Sequence, residues 1–275
     1  MPRSIWDRLG FGEPAAAKVP AIIALFWLIK VLTTGMGEAA SDYLAAHNLL
    51  LAAVLGLLGL VVALWLQFRI PRYVAGVYWF AVSMVAVFGT MAADALHKGL
   101  GIPYAGSTLF YSVIVAVLFA LWHRSEGTLS IHSITTRRRE TFYWITVLAT
   151  FALGTAVGDL TAASMGLGYL ASAGLFGAFM LLPAVGWWKF GMNPVLAFWF
   201  AYVLTRPLGA SIADWLGKPA ALSGLGVGDG TVTVVSAVLI VALVIYLARS
   251  RRDIQPAGAA STRSRAAVDD PAERA

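Results

Sequence analysis

An aromatic residue joined to Trp, a Gly ten residues after the Trp and an Asp five residues after the Gly recur four times in this chain of 275 residues. The copies are Phe26-Trp27, Gly37 and Asp42; Tyr78-Trp79, Gly89 and Asp94; Tyr143-Trp144, Gly154 and Asp159; Phe198-Trp199, Gly209 and Asp214. Self-similarity at a fixed internal spacing is the mark of a repeat architecture. Each copy lies in an apolar run long enough to cross a membrane, since roughly 20 apolar residues of helix span the hydrocarbon core. The chain therefore carries one carboxylate per repeat at a matched depth.

Composition agrees with that reading. The chain is 59% hydrophobic and 12% charged, which is too apolar for a soluble domain of this size. It has no Cys, so disulfides and thiolate metal sites are excluded. The pattern predicts an all-α polytopic membrane protein of eight transmembrane helices built from four parallel two-helix repeats. The spans fall at roughly 19–44, 48–68, 73–96, 103–122, 141–163, 167–188, 195–216 and 229–248. The first apolar run carries a full motif copy and is expected to be retained rather than cleaved as a signal.

Basic residues fix an expected orientation. Arg3, Arg8, Lys18, Arg69, Arg72, Arg124, Arg137, Arg138, Arg139, Lys189 and the arginines from Arg249 onward fall on one side; the other side holds Lys98 and Lys218. The basic side is cytoplasmic by the positive-inside rule, so both termini are expected inside a bacterial inner membrane. The formal charge of +6 follows this topology and gives no sign of nucleic acid as a partner. The expected organisation is a cytoplasmic segment at 1–18 and a membrane domain at 19–248. Within that domain the repeats lie near 19–68, 73–122, 141–188 and 195–248. A disordered cytoplasmic tail follows at 249–275.

Each repeat is a motif helix running outward and a plain helix returning. Two is even, so all four copies cross in the same direction and are related by axes along the membrane normal. Helical spacing then builds matched layers. Four residues before each Asp stand Glu38, Thr90, Thr155 and Ala210, and one turn further in stand Thr34, Ala86, Phe151 and Arg206. Lys30 lies one more turn inward on the first motif helix. An internal Lys30–Glu38 or Arg206–Asp214 ion pair that only fixes helix register is the structural alternative expected beside a functional site.

Intramembrane charges are costly, about 2.5–3.5 kcal/mol each near the bilayer centre, and mark functional sites. Glu38, Asp42, Asp94, Asp159 and Asp214 outnumber Lys30 and Arg206. That excess points to titration or to a bound cation. Carboxylate and hydroxyl oxygens, here with Thr34, Thr90 and Thr155, suit Mg, Ca or Mn. Glu38 and Asp42 are the first-choice metal ligands. Simpler roles stand beside these. Trp27, Trp79, Trp144 and Trp199 suit packing or interfacial anchoring, and Gly37, Gly89, Gly154 and Gly209 suit close helix contacts. Trp65, Trp122, Trp187 and Trp188 suit the membrane interface. Asp229 suits the N-cap of the last span. His97 follows Asp94 closely, although a lone loop His is more simply solvated. No nucleotide-binding Gly-loop, zincin motif or nucleophile elbow is present, so neither catalysis nor a resident cofactor is expected.

The Lys18-Val-Pro20 lead-in, Phe26-Trp27, the Thr33-Thr34-Gly35-Met36-Gly37-Glu38 run with Asp42, and the later Trp-Gly-Asp copies carry a resemblance. The chain resembles the bacterial membrane family defined by four tandem repeats, each with two transmembrane segments and a characteristic Trp, over roughly residues 18–248. That resemblance implies the repeat fold. The functional expectation comes from the charges: transport of a small cation, a divalent metal such as manganese, by alternating access in exchange for a proton. In that scheme Lys30 and Arg206 hold the unloaded site together. A non-transporting scaffold or sensor, and a membrane redox protein, are the rival expectations.

Overall fold

A computed structural model describes residues 17–255. The basic residues before Lys18, and those after Arg252, fall outside it, with most of the expected N-terminal segment and tail. Eight long helices form four two-helix repeats: α1 (Ala24–His47), α2 (Leu49–Arg69), α3 (Ala75–Asp94), α4 (Tyr104–Glu126), α5 (Arg137–Asp159), α6 (Gly168–Phe190), α7 (Pro194–Gly217) and α8 (Asp229–Ser250). All but α1, which carries Lys30, Glu38 and Asp42, are long and apolar enough to cross a membrane.

Local chemistry sets several ends. Asn48, Thr136 and Asn193 accept backbone N–H bonds at the starts of α2, α5 and α7. Pro194 opens α7, where a missing N–H costs nothing. Gly127 and Gly191 close α4 and α6 at positive φ, which a side chain would resist. α1 begins later than expected because residues 18–21, including Pro20, run as a strap. Lys18 N–H donates to Ile134 O and Ala21 N–H to Asp253 O. The loop before α5 is shorter than expected, because α4 continues to Glu126 and α5 starts at Arg137.

The motif helices α1, α3, α5 and α7 form a closed inner ring, each packed on the next and α7 back on α1. Their return helices stand outside, and each packs chiefly on the next repeat's motif helix: α2 on α3, α4 on α5, α6 on α7 and α8 on α1. Over half of the apolar stretch of α3, α5 and α7 is buried (61%, 67% and 56%), against 17–22% for the four return helices. The outer helices turn Leu, Val and Phe outward. A soluble protein would not expose such a surface, and a bilayer would cover it.

Two contacts repeat around the ring with the same handedness. Near the termini, each Phe or Tyr of the motif packs on the Trp of the next motif helix. The ring centroids are 5.5 Å apart for Phe26–Trp79, 5.6 Å for Tyr78–Trp144, 6.2 Å for Tyr143–Trp199 and 5.8 Å for Phe198–Trp27. Further along, each motif Gly receives the residue that stands three before the next motif Gly. A Cβ on Gly37 would lie 2.4 Å from Ala86, on Gly89 2.7 Å from Phe151, on Gly154 2.3 Å from Arg206, and on Gly209 1.8 Å from Thr34. Glycine is needed because the next backbone, or its first side-chain atoms, fills that space. Trp122, expected at the interface, is instead fully buried against Phe142 and Trp199. Trp65, Trp187 and Trp188 are exposed on the outer surface.

Candidate cation site

At the end of the ring away from the chain termini, the matched positions of the four motif helices converge. One layer holds Glu38, Thr90 and Thr155, all buried. Arg206 rises into it from α7, one turn closer to the termini. It donates to Glu38 Oε2 (2.7 Å), Thr155 Oγ1 (2.7 Å), Thr34 O (2.9 Å) and Thr90 Oγ1. Thr90 in turn donates to Glu38 (3.2 Å). One guanidinium therefore ties α7 to the other three motif helices. Arginine suits this place because its planar fork serves several acceptors and keeps its charge.

One turn outward lie the motif aspartates. Asp42 and Asp94 share Lys98, at 3.4 and 2.9 Å. Asp42 also meets Lys218 at 2.6 Å, and Lys218 reaches Asp229 at 2.9 Å and Asp214 at 3.9 Å. Asp159 makes no hydrogen bond or ion pair among the described residues and is half-buried. Carboxylate oxygens of Glu38, Asp42 and Asp214 lie within 4.8 Å of one another. This buried acidic group, set among apolar helices, is able to coordinate a cation. Oxygens on opposite sides of a hard divalent ion stand about 4–5 Å apart, twice a bond of about 2.0–2.6 Å.

Beyond Asp94 and Asp159 the helices widen into π-turns over Ala95–Gly99 and Leu160–Ser164. Such turns re-aim the backbone next to sites, and the first carries Lys98 back over the aspartates. Lys218 is placed by the loop after α7. Burial lowers its pKa, but Asp42, then Asp214 and Asp229, outweigh that and raise it above the usual lysine value.

The expected internal pairs differ from those formed. Glu38 pairs with Arg206 across the ring rather than with Lys30 along its own helix, and Arg206 does not pair with Asp214. Side chains two turns apart on one helix are too far for contact, whereas the glycine-tight ring brings α7 against α1. Lys30 instead sits between aromatic faces, its Nζ 3.8 Å from the Phe151 centroid and 4.2 Å from that of Tyr202. Thr34 lies beside Gly209 and donates to Val31 O and Thr205 O, not to a carboxylate. Asp229 makes no side-chain cap; it opens α8 and pairs with Lys218. His97 stacks on Tyr104 and bonds Ile102 O, away from the carboxylates.

Sequence reasoning missed Lys98, Lys218 and Asp229 as members of this cluster. A signal existed: both lysines stand four residues after a motif Asp, in the second and fourth repeats, where the other two repeats carry Ala46 and Ala163.

A family model described as "Repeat of Unknown Function (DUF347)" matches residues 25–73, 77–128, 142–192 and 197–253, which together make up more than half of the chain. No curated protein matches the chain, and no solved structure does.

Proposed function

The chain belongs to the DUF347 repeat family, and we propose that it is a membrane transporter of a small cation, bound by Glu38, Asp42 and Asp214. One observation carries the reading: three carboxylates from α1 and α7 meet within 4.8 Å inside an apolar bundle. Five carboxylates, Glu38, Asp42, Asp94, Asp214 and Asp229, share three cations, Arg206, Lys98 and Lys218, and the Asp159 side chain adds a sixth carboxylate with no ion pair among the described residues. A formal negative excess in a poorly solvated place favours an added cation or protons. The donor set is all oxygen, which favours a hard divalent ion such as manganese.

In this mechanism Lys218 and Arg206 are stand-in cations. They neutralise Asp42 and Glu38 while cargo is absent. Lys218 swings out with its loop as the ion arrives, and Glu38 turns from Arg206 to the ion. Protons bound by the remaining carboxylates leave in exchange, so the charge in the membrane changes little. Arg206, on the termini side of Glu38, separates the cluster from the rest of the ring. The basic-residue asymmetry supports an orientation with the cluster external and both termini cytoplasmic. The protein acts in the bacterial inner membrane as a carrier rather than an enzyme.

The test is manganese flux into vesicles containing the purified protein, with internal pH recorded together. Manganese uptake with opposite proton movement, lost in Asp42→Asn, is expected. No flux of any of Mn, Mg or Ca above protein-free vesicles sinks the reading. A second reading, a scaffold whose charges only fix helix register, is favoured by Arg206 binding three neighbouring helices. It requires that Asp42→Asn leave cell growth under metal limitation or excess unchanged.

A further inference from the structure

Lys30 has no role in the carboxylate cluster, yet it is a charged side chain deep in the ring. It is 1% exposed, and its Nζ has no hydrogen-bond partner. The charged group acting on it is Arg206 of α7. The other groups around it are the rings of Phe151 on α5 and Tyr202 on α7. Among the described residues no carboxylate forms an ion pair with it. An ionisable group kept at such a depth without a partner calls for an explanation beyond packing.

Hydroxyls continue from that point toward the termini. Tyr202 Oη is buried and interacts with the Tyr143 hydroxyl. Tyr143 Oη lies 2.5 Å from Tyr78 Oη. The Tyr78 ring packs on Tyr73 at 5.7 Å. Tyr73 donates to Asp253, a buried carboxylate in the segment after α8. Burial, then Asp253, holds the Tyr73 phenol above its ordinary pKa, so it stays a hydroxyl able to donate. The motif position that supplies this column is Phe26 and Phe198 in two repeats but Tyr78 and Tyr143 in the other two, which pair. Shape alone asks for an aromatic ring there; the hydroxyls are an addition.

We infer that Lys30 exchanges a proton with the cytoplasm through the column Tyr202, Tyr143, Tyr78, Tyr73 and Asp253. The step balances. Lys30 ammonium gives one proton to the Tyr202 hydroxyl, or to a water between them. Each hydroxyl accepts one proton and passes its own onward. Asp253 becomes a carboxylic acid and releases the proton to cytoplasmic water. Lys30 is left as a neutral amine, and one proton has crossed. The wider gaps, such as that between Tyr78 and Tyr73, require a bridging water in this scheme. Arg206 cannot give up its proton. It therefore insulates this column from the carboxylates and divides the ring into a cation-binding outer half and a proton-exchanging inner half. The cytoplasmic direction and the link to transport rest on the proposed function; the column itself rests on the tyrosines.

The test uses the full chain in lipid nanodiscs, labelled with ¹⁵N-lysine. The Lys30 side-chain signal is identified by its loss in Lys30→Met. Its proton exchange with bulk water is measured in the wild type and in the Tyr78→Phe/Tyr143→Phe variant, which keeps both rings and their packing. Tyr73→Phe serves as a second variant at the cytoplasmic end of the column. Exchange slowed by roughly tenfold or more in both variants is expected for a lost relay step. Equal exchange in the wild type and the variants overturns the column, as does a wild-type Lys30 signal that does not exchange. Absence of metal flux from the wild type sinks the transport reading alone and leaves this result standing.

Discussion

Among the described residues Glu38 forms one ion pair, with Arg206, and that partner decides what the loss of the carboxylate does. Glu38→Gln leaves a buried guanidinium without its counter-charge. Breaking a buried pair from one side costs about 3–5 kcal/mol, whereas replacing both partners costs little. The melting temperature in detergent should fall for Glu38→Gln and recover in the double variant with Arg206→Met. An unchanged melting temperature in the single variant would mean that the pair contributes nothing. Lys218 gives a pH-dependent counterpart. Its folded pKa is raised, so its contribution is full below the unfolded value of about 10.4 and is lost as pH climbs through the folded one. Lys218→Met should therefore lower stability by about 1–2 kcal/mol, between the exposed and buried limits. The loss should be equal at pH 7 and pH 9 and shrink only in stronger alkali. A difference that vanished between pH 7 and pH 9 would refute that assignment. At this scale the sequence was legible by layer and illegible by pairing. Helical spacing placed Glu38 beside Thr90 and Thr155 in height. It could not say that Arg206 would cross the axis, because that depends on how closely α7 approaches α1.

At the scale of the helix, the glycines make a sharp comparison. A methyl group on Gly37 meets the Ala86 Cβ at 2.4 Å and Val87 N at 3.0 Å, both on a neighbouring helix that cannot yield cheaply. A methyl group on Gly174 of α6 meets nothing within 4 Å. Gly37→Ala should cost about 1–3 kcal/mol through overpacking. Gly174→Ala should be neutral or slightly stabilising, since Ala is the better helix former. Thermal denaturation of the two variants checks both. If they lose stability equally, the ring contact does not govern packing. Helix positions were readable from apolar run length, with ends displaced where a local device acts. Pro20 holds the strap off α1, and Gly127 stops α4. The π-turns after Asp94 and Asp159 left no trace in the apolar pattern, because the pattern counts residues and not hydrogen-bond reach.

For the whole molecule, the repeat gave the four-fold arrangement and the shared direction of the motif helices. Reporter fusions after Arg69, Arg139 and Arg249 should read cytoplasmic, and one after Lys98 should read external. An external signal after Arg139 would reverse the topology. What the repeat could not convey is that each return helix leans on the following repeat, so that α8 packs on α1. That arrangement bears on biogenesis. α1, the one long helix among the described residues that is not apolar enough by itself to cross a membrane, is made before two of its main neighbours, α7 and α8. Until α7 and α8 have been made, Lys30, Glu38 and Asp42 stand in or beside lipid without their ring. Until then α1 has to be held by the insertion machinery, or by α2 and α3 alone.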